Sequence, residues 1–280
     1  MAAMKISVLI VSYNVRELLL RCLGSFDAST EVIVVDNASE DGSADAVREA
    51  FPWVNLLQNE SNLGFSAAVN RAAAEAKGEA FFLLNPDTEV RGESLPRMSE
   101  LLREDAEVGA VGFRQVDGDN TFQLAIGPPA WLWADLMRGV VQRRLDAGDQ
   151  RLANFLDGLF ARPMTVPWAA ASSLLVRREA FEDIQGFDDG FFMYFEDIDF
   201  CLRLRHAGWK VFFDPRVTLV HHRGASAEHD MSASQRHYRA SQLRFWEKHR
   251  GPWARRLVHL YLALRGQAPE PLDTDDGSSL

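Results

Sequence analysis

Two cysteines are too few to staple a fold, and Cys22 and Cys201 each fall inside an apolar helical pattern. They read as small buried hydrophobes of a reducing compartment rather than as a disulfide. The glycine signatures of two common nucleotide folds are also missing. G-x-G-x-x-G and G-x-x-x-x-G-K-[ST] occur nowhere, and the segment after the first strand pattern, "SYNVREL", is followed by no glycine before Gly24. That argues against a dinucleotide fold, a P-loop, and nucleotidyl transfer to a sugar phosphate, which would need a glycine-rich basic loop there. No apolar run approaches the length of a bilayer span, and the N-terminus lacks the basic, apolar and cleavage regions of a signal peptide, so a cytoplasmic location is expected. Positive charge is short overall. A net charge of −10 excludes a general attraction to nucleic acid. The shortage is local, however: residues 235–265 carry eight Lys/Arg against one acid, Glu247.

What is present is a regular alternation of strand and helix signals without internal repeats. Apolar β-rich runs fall at 5–11, 31–36, 54–59 and 79–85. Between them lie helical spacings through Leu18, Leu19, Cys22, Leu23 and Phe26, over 43–50, and over the alanine-rich stretch 66–76. Continuous apolar strands separated by helices predict an α/β fold with a mostly parallel central sheet covered on both faces. The spacing further predicts a helix through Leu152, Phe155, Leu156 and Leu159, a strand running into a helix over 166–181, and an acidic helix start followed by a strand over 186–215. Helices are expected at 233–249 and 253–264, with an unstructured tail from Gly266.

Ligands of such sheets bind beyond the carboxyl ends of the strands. Three polar clusters fall there: Ser12-Tyr13-Asn14, Asp36-Asn37 and Asn85-Pro86-Asp87. Asp36 sits flush with its strand end and reads as functional, whereas Asp41 and Ser43 read as turn and cap. Asn62, Gly64, Phe65 and Asn70 belong to a helix start rich in small residues, which admits close backbone approach. In "FFMYFEDIDF", the pair Glu196-Asp197 follows an aromatic run, so a carboxylate there is a candidate general base. Asp199 reads as an acid placed for the helix dipole. His221, with His222 after it, offers a second ligand beside Asp87 for a divalent cation.

Taken in order, "VSYN", "VIVVDNASEDGS", "NLGFSAAVNRA", "FLLNPDTEV", "GFDDGFFMYFEDIDFCLRLRHAGW" and "VHHRGAS" resemble the inverting, nucleotide-sugar-dependent glycosyltransferases of family 2, with the GT-A fold, and most closely their rhamnosyltransferase-type bacterial branch. The resemblance covers about Lys5 to Ser226. It implies a Rossmann-like nucleotide-sugar-binding half over 1–113 and an acceptor half over 114–230, followed by a basic helical extension over 231–265. It also implies roles. Ser12, Tyr13, Asn14, Asp36 and Asn37 would hold the nucleoside. Asn62, Gly64, Phe65, Asn70 and Asn85 would line the rest of the donor pocket. Asp87 and His221 would bind Mg2+ or Mn2+. Asp197 would be the base with Glu196 beside it, and Trp168 and Ala171 would lie near the acceptor. Two positions depart from the pattern: Asn85 stands for the first acid of the D-x-D motif, and Ala171 stands where many relatives carry glycine. The implied reaction moves a sugar, L-rhamnose from dTDP-L-rhamnose or another from a UDP-sugar, to a glycan or lipid-linked saccharide in surface polysaccharide assembly. A catalytically idle sugar-nucleotide-binding protein is the competing reading. The basic segment 235–265, with Trp246, Trp253 and Tyr261 interleaved, either lies against anionic lipid at the inner face of the cell membrane or packs its apolar side on the domain.

Overall fold

The computed structural model describes residues 4–90, 94–129, 132–222 and 231–267. In the first half, strand and helix alternate as β1 (Ile6–Ser12), α1 (Arg16–Leu23), β2 (Glu31–Asp36), α2 (Ser43–Ala50), β3 (Asn55–Gln58), α3 (Gly64–Glu75) and β4 (Ala80–Leu84). There follow β5 (Thr88–Val90), α4 (Ser94–Glu104), β6 (Val108–Val116), β7 (Phe122–Gln123), β8 (Ile126–Gly127), α5 (Leu132–Asp146) and α6 (Gln150–Leu159). The rest of the chain forms β9 (Met164–Thr165), β10 (Trp168–Ala169), β11 (Ser173–Arg177), α7 (Arg178–Asp183), α8 (Glu196–His206), β12 (Lys210–His221), α9 (Met231–Arg250) and α10 (Pro252–Leu264). Most of the expected tail, from 268 on, and the end of the "VHHRGAS" motif lie outside the described residues.

The main sheet runs in the order β3-β2-β1-β4-β11-β6-β12-β5. β1, β2, β3 and β4 are parallel, and β12 is parallel to β6, while β11 and β5 run against their neighbours. Every residue of β4, "AFFLL", is buried, as a central strand covered on both faces requires. Alternation along β1 divides the core: Leu9 packs with α3, α7, α8, α9 and α10, while Val8 and Ile10 pack with α1, α2 and α4.

The strand expected from 166 is in fact two. Trp168 and Ala169 leave the main sheet to pair with β8, and a turn over 170–172 precedes β11. Gly127 makes room for this, because a Cβ there would stand 2.2 Å from the Trp168 ring. α9 and α10 begin and end close to their expected limits, and Phe245, Trp246, Ala254, Val258 and Leu262 are buried in the core shared with α8. Asp199, expected only to favour the helix dipole, is fully buried. It accepts from Arg203, Lys248 and His249, each at 2.7 Å. These partners hold its carboxyl below the usual range although burial opposes them. The network bolts α9 onto α8. Lys248 and Arg244 also reach Asp188 in the turn before α8, and that carboxyl is held at about 2 against the opposing effect of burial. Both cysteines are buried and free, as expected, and burial pushes the Cys201 thiol up to about 12.

Candidate active site

The strand directions explain why distant residues meet. The carboxyl ends of β1, β2, β4, β6 and β12 share one edge, and β11 enters the sheet there, with Ser173 paired to Leu84. Ser12 is paired with Asp36, so the first two polar clusters are neighbours. Beyond β4 the chain turns at once: the Thr88 N–H donates to the Asn85 carbonyl at 3.1 Å, with Pro86 inside the turn. The turn swings Asp87 toward β12. There β5 pairs antiparallel, Thr88 opposite His221, and the His222 N–H donates to the Asp87 carbonyl at 2.8 Å. His221 Nε2 thereby comes within 3.1 Å of Asp87 Oδ1, while His222 turns away to Glu89 at 2.8 Å.

Gln123 then decides what that pair wants. Its side-chain N–H donates to the His221 carbonyl at 2.9 Å, so its Oε1 is the atom 3.1 Å from His221 Nδ1. Nδ1 is therefore the nitrogen that donates to Gln123, and Nε2 is the one turned to the buried Asp87 carboxyl. An imidazole nitrogen and a carboxylate oxygen brought together from adjacent strands are both ligands a divalent cation accepts, so the pair fits a divalent metal. Among the described residues no group of three or more His, Cys, Asp or Glu forms around it. Phosphate oxygens and water would have to complete the coordination shell, as Mg2+ commonly allows.

Two clefts adjoin across Phe65, Asn85 and Met193, which line both. The first is bounded by Tyr13, Asn14, Asn37, Asn62, Gly64, Pro86, Phe192 and His237. Its floor is tied together. Asn59 donates to Asn37 Oδ1 at 2.5 Å, Asn37 donates to the Gly64 carbonyl at 3.1 Å, and Gly64 N–H donates to Asn62 Oδ1 at 3.0 Å. Gly64 has φ +80°, and a Cβ on it would meet the Phe192 carbonyl oxygen at 2.5 Å. The close approach expected at Gly64 is thus to the chain's own aromatic segment. Gly64→Ala is expected to cost at least about 1–2 kcal/mol from the left-handed backbone alone and to lower Tm in thermal unfolding, with further loss as Phe192 is displaced.

The second cleft contains Asp87, His221, Trp168, Ala171, Glu196, Asp197, Arg138, Gln142 and Tyr238. Tyr194 and Phe195 both hold positive φ, at 70° and 64°, immediately before α8. Consecutive left-handed aromatic residues are a strained backbone of the kind that collects at functional sites. Here it brings Glu196 and Asp197 out of the aromatic run into the cleft. Burial raises the pKa of both carboxyls. Glu196 is pushed well up, first by burial and then by the charges of Asp197 and Asp199. Asp197 is raised by burial too, but the Arg138 guanidinium and the Ile198 and Ala171 N–H groups pull it back. Glu196 is raised further than Asp197, so Asp197 gives its proton up first, the separation that divides acid and base roles between neighbours.

Not every expected residue lines a cleft. Ser12 and Asp36 are buried and do not line the first one, with Ser12 Oγ and Asp36 Oδ1 unpartnered among the described residues and Asp36 Oδ2 accepting from the Ser39 N–H at 3.1 Å. Asn70 lies off the cleft walls. Its amide binds both backbone groups of Phe187 at 2.9 Å and reaches Asp189, which braces the turn leading to α8. Asp41 is the turn residue it was expected to be, accepting from Ser43 and from the Arg16 N–H. Arg138, Tyr238, Gln123, Phe192 and His237 escaped the sequence reading. The aromatic run flagged Phe192 in outline, whereas Arg138 had no local signal.

Residues 7–185 match the sequence model of glycosyl transferase family 2, and residues 123–266 that of glycosyl transferase family group 2. The chain is 31% identical over 268 residues to the N-acetylglucosaminyl-diphospho-decaprenol L-rhamnosyltransferase of Mycobacterium tuberculosis, covering 88% of this chain and 85% of that enzyme. Among solved structures, GalNAc-T7 with UDP, GalNAc and Mn2+ superposes with a TM-score of 0.60 at 18% identity, covering 87% of this chain and 50% of that one. The mannosyltransferase PcManGT of Pyrobaculum calidifontis, in complex with GDP-Man and Mn2+, gives 0.59 at 19% identity over 96% of this chain and 77% of that one.

Proposed function

The chain belongs to glycosyl transferase family 2 and has the GT-A fold, and from that premise we propose that it transfers L-rhamnose from dTDP-L-rhamnose, with inversion, to a hydroxyl of a lipid-linked saccharide. The observation that carries this reading is the convergence of unpartnered buried polar atoms on one edge of the sheet. Ser12 Oγ, Asp36 Oδ1, Asp87 Oδ1, Thr88 Oγ1 and Glu196 Oε2 all lack partners among the described residues. Buried polar atoms are rarely left unpaired unless a ligand completes them. The sugar and the lipid-linked acceptor follow from the name of the mycobacterial relative.

In this reading Tyr13, Asn14 and Asn37 hold the nucleoside, with Asp36 reaching it through its free oxygen, and Asn62, Gly64, Phe65 and Asn85 line the path of the diphosphate. A divalent cation, Mg2+ or Mn2+, held by Asp87 and His221, would offset the charge that gathers on the departing diphosphate. The acceptor saccharide enters the second cleft against Trp168 and Ala171. Its hydroxyl attacks the anomeric carbon from the face opposite the diphosphate, and the bond to the diphosphate oxygen breaks as the new one forms. Asp197 takes the hydroxyl proton, and protonated Glu196 donates a hydrogen bond that orients the reacting groups.

The test is a screen of nucleotide-sugars for metal-dependent hydrolysis and thermal stabilisation, with dTDP-L-rhamnose expected to rank first and a UDP-sugar in first place overturning the donor. A further expectation concerns pH. Asp197 acts only when deprotonated, and its raised pKa sets the acid limb of kcat/KM above the ordinary aspartate range. Arg138 lowers that pKa, so Arg138→Gln should raise it further and move the acid limb to higher pH. A pH–rate profile with an unmoved limb would separate Arg138 from the base.

A further inference from the structure

α10 has two apolar faces, and the fold uses only one. Ala254, Val258 and Leu262 are buried on the side that packs on α9, within the core that also holds α8. On the other side Trp253, Leu257, Leu260 and Leu264 recur at helical spacing with 60, 50, 56 and 80% of their surface exposed. The sequence left open whether this segment packs on the domain or meets lipid, and the structure gives each alternative its own face of one helix. Exposed leucines and a tryptophan in a continuous stripe are unusual on a free surface and mark an interaction site.

Charge identifies the partner. Arg256 flanks the stripe on the helix, and Arg250 stands at its start; neither makes an ion pair among the described residues. Arg265, stacked on Tyr261, lies at the other end. These belong to the one strongly basic stretch of a chain whose net charge is −10. An anionic surface would repel most of this molecule and attract this part. A helix with a leucine and tryptophan stripe bordered by arginines is suited to lie in the headgroup layer of an anionic bilayer. Its placement is also suitable. α10 runs back along α9, and Arg239 donates to Gln267 just past its end at 2.8 Å. The neighbouring residue, Tyr238, lines the cleft that holds Asp197.

We propose that the outward face of α10 docks on the surface of an anionic bilayer and presents the Asp197 cleft to the headgroup layer. The proposal takes its purpose from the lipid-linked acceptor read above, but the contact itself depends only on this surface. No helix among the described residues is long and apolar enough to cross a membrane, so the contact is peripheral.

The test is flotation of the full chain with vesicles of phosphatidylcholine alone and with roughly one-third phosphatidylglycerol. Wild-type protein is expected to float with the anionic vesicles only. Leu257→Glu/Leu260→Glu, and separately Arg250→Glu/Arg256→Glu, should each reduce the bound fraction at least about tenfold, with Tm and nucleotide-sugar hydrolysis unchanged because all four side chains are exposed. Failure to float, or flotation untouched by both pairs of substitutions, overturns the proposal. So does a wild-type dimer in light scattering that Leu257→Glu/Leu260→Glu converts to monomer, since the stripe would then be an interface between copies. Vesicle binding without turnover of any nucleotide-sugar would remove the proposed function and leave this surface standing.

Discussion

Asp197→Asn is expected to lower transfer by about 10²–10⁴-fold, with donor affinity and metal dependence close to wild type. The substitution keeps the shape of the side chain and its acceptance of the Ile198 N–H at 2.8 Å, but it removes the carboxylate proposed to take the acceptor's proton. Glu196 is a poor substitute, because burial first and then the charges of Asp197 and Asp199 raise its pKa well above that of an ordinary carboxyl. Relief of the Asp197 charge lowers that pKa only in part, since burial is the larger cause. The loss should appear in kcat with intact nucleotide-diphosphate binding by calorimetry. Near-normal turnover with donor still bound would remove Asp197 as the base.

Much of this site could be read along the chain because β-strands announce their own ends. The apolar runs 31–36 and 79–85 stop at Asp36 and Asn85, and the parallel register then sets those ends on either side of the end of β1. Likewise "FFMYFED" advertised a carboxylate pair with no apolar reason to be there. What could not be read is whatever depends on pairing across long separations. Asp87 and His221 are 134 positions apart and meet because β5 runs against β12 at Thr88 and His221. Nothing in either segment states that register. Arg138 is one arginine on α5, a helix for which the sequence reading found no spacing, and its placement over the Trp168 and Phe195 rings, at 5.7 and 5.5 Å, is purely tertiary. Asn70 misled for the opposite reason. It sits in a motif of functional residues, but its amide is spent on the Phe187 backbone, where it supports the loop that delivers Glu196 and Asp197. Asp199 is a similar case: an acid at a helix start is satisfied by the dipole alone, so nothing local announced the three hydrogen-bond donors gathered around it.

The same pairing makes Asp87→Asn the most informative test of the metal. In the wild-type chain Asp87 Oδ1 faces His221 Nε2 at 3.1 Å, and Gln123, which accepts from Nδ1, fixes the ring in that orientation. An asparagine amide can donate to Nε2 and close this gap with a hydrogen bond. The folded chain should therefore lose nothing, and its Tm without ligand should equal or exceed that of wild type. What it loses is the anionic oxygen that a divalent cation needs. Transfer is expected to fall by about 10²–10³-fold, the scale of losing one strong electrostatic contact to the leaving group. Thermal unfolding with a nucleoside diphosphate, with and without Mn2+, separates the two effects. Wild type should show a rise in Tm that requires metal and nucleotide together, and Asp87→Asn should keep only the part that nucleotide gives alone. A metal-dependent rise equal to wild type would move the cation away from Asp87. A lowered ligand-free Tm would instead mean that the Asp87–His221 contact is a charged pair that holds β5 to β12, with His221 protonated despite Gln123.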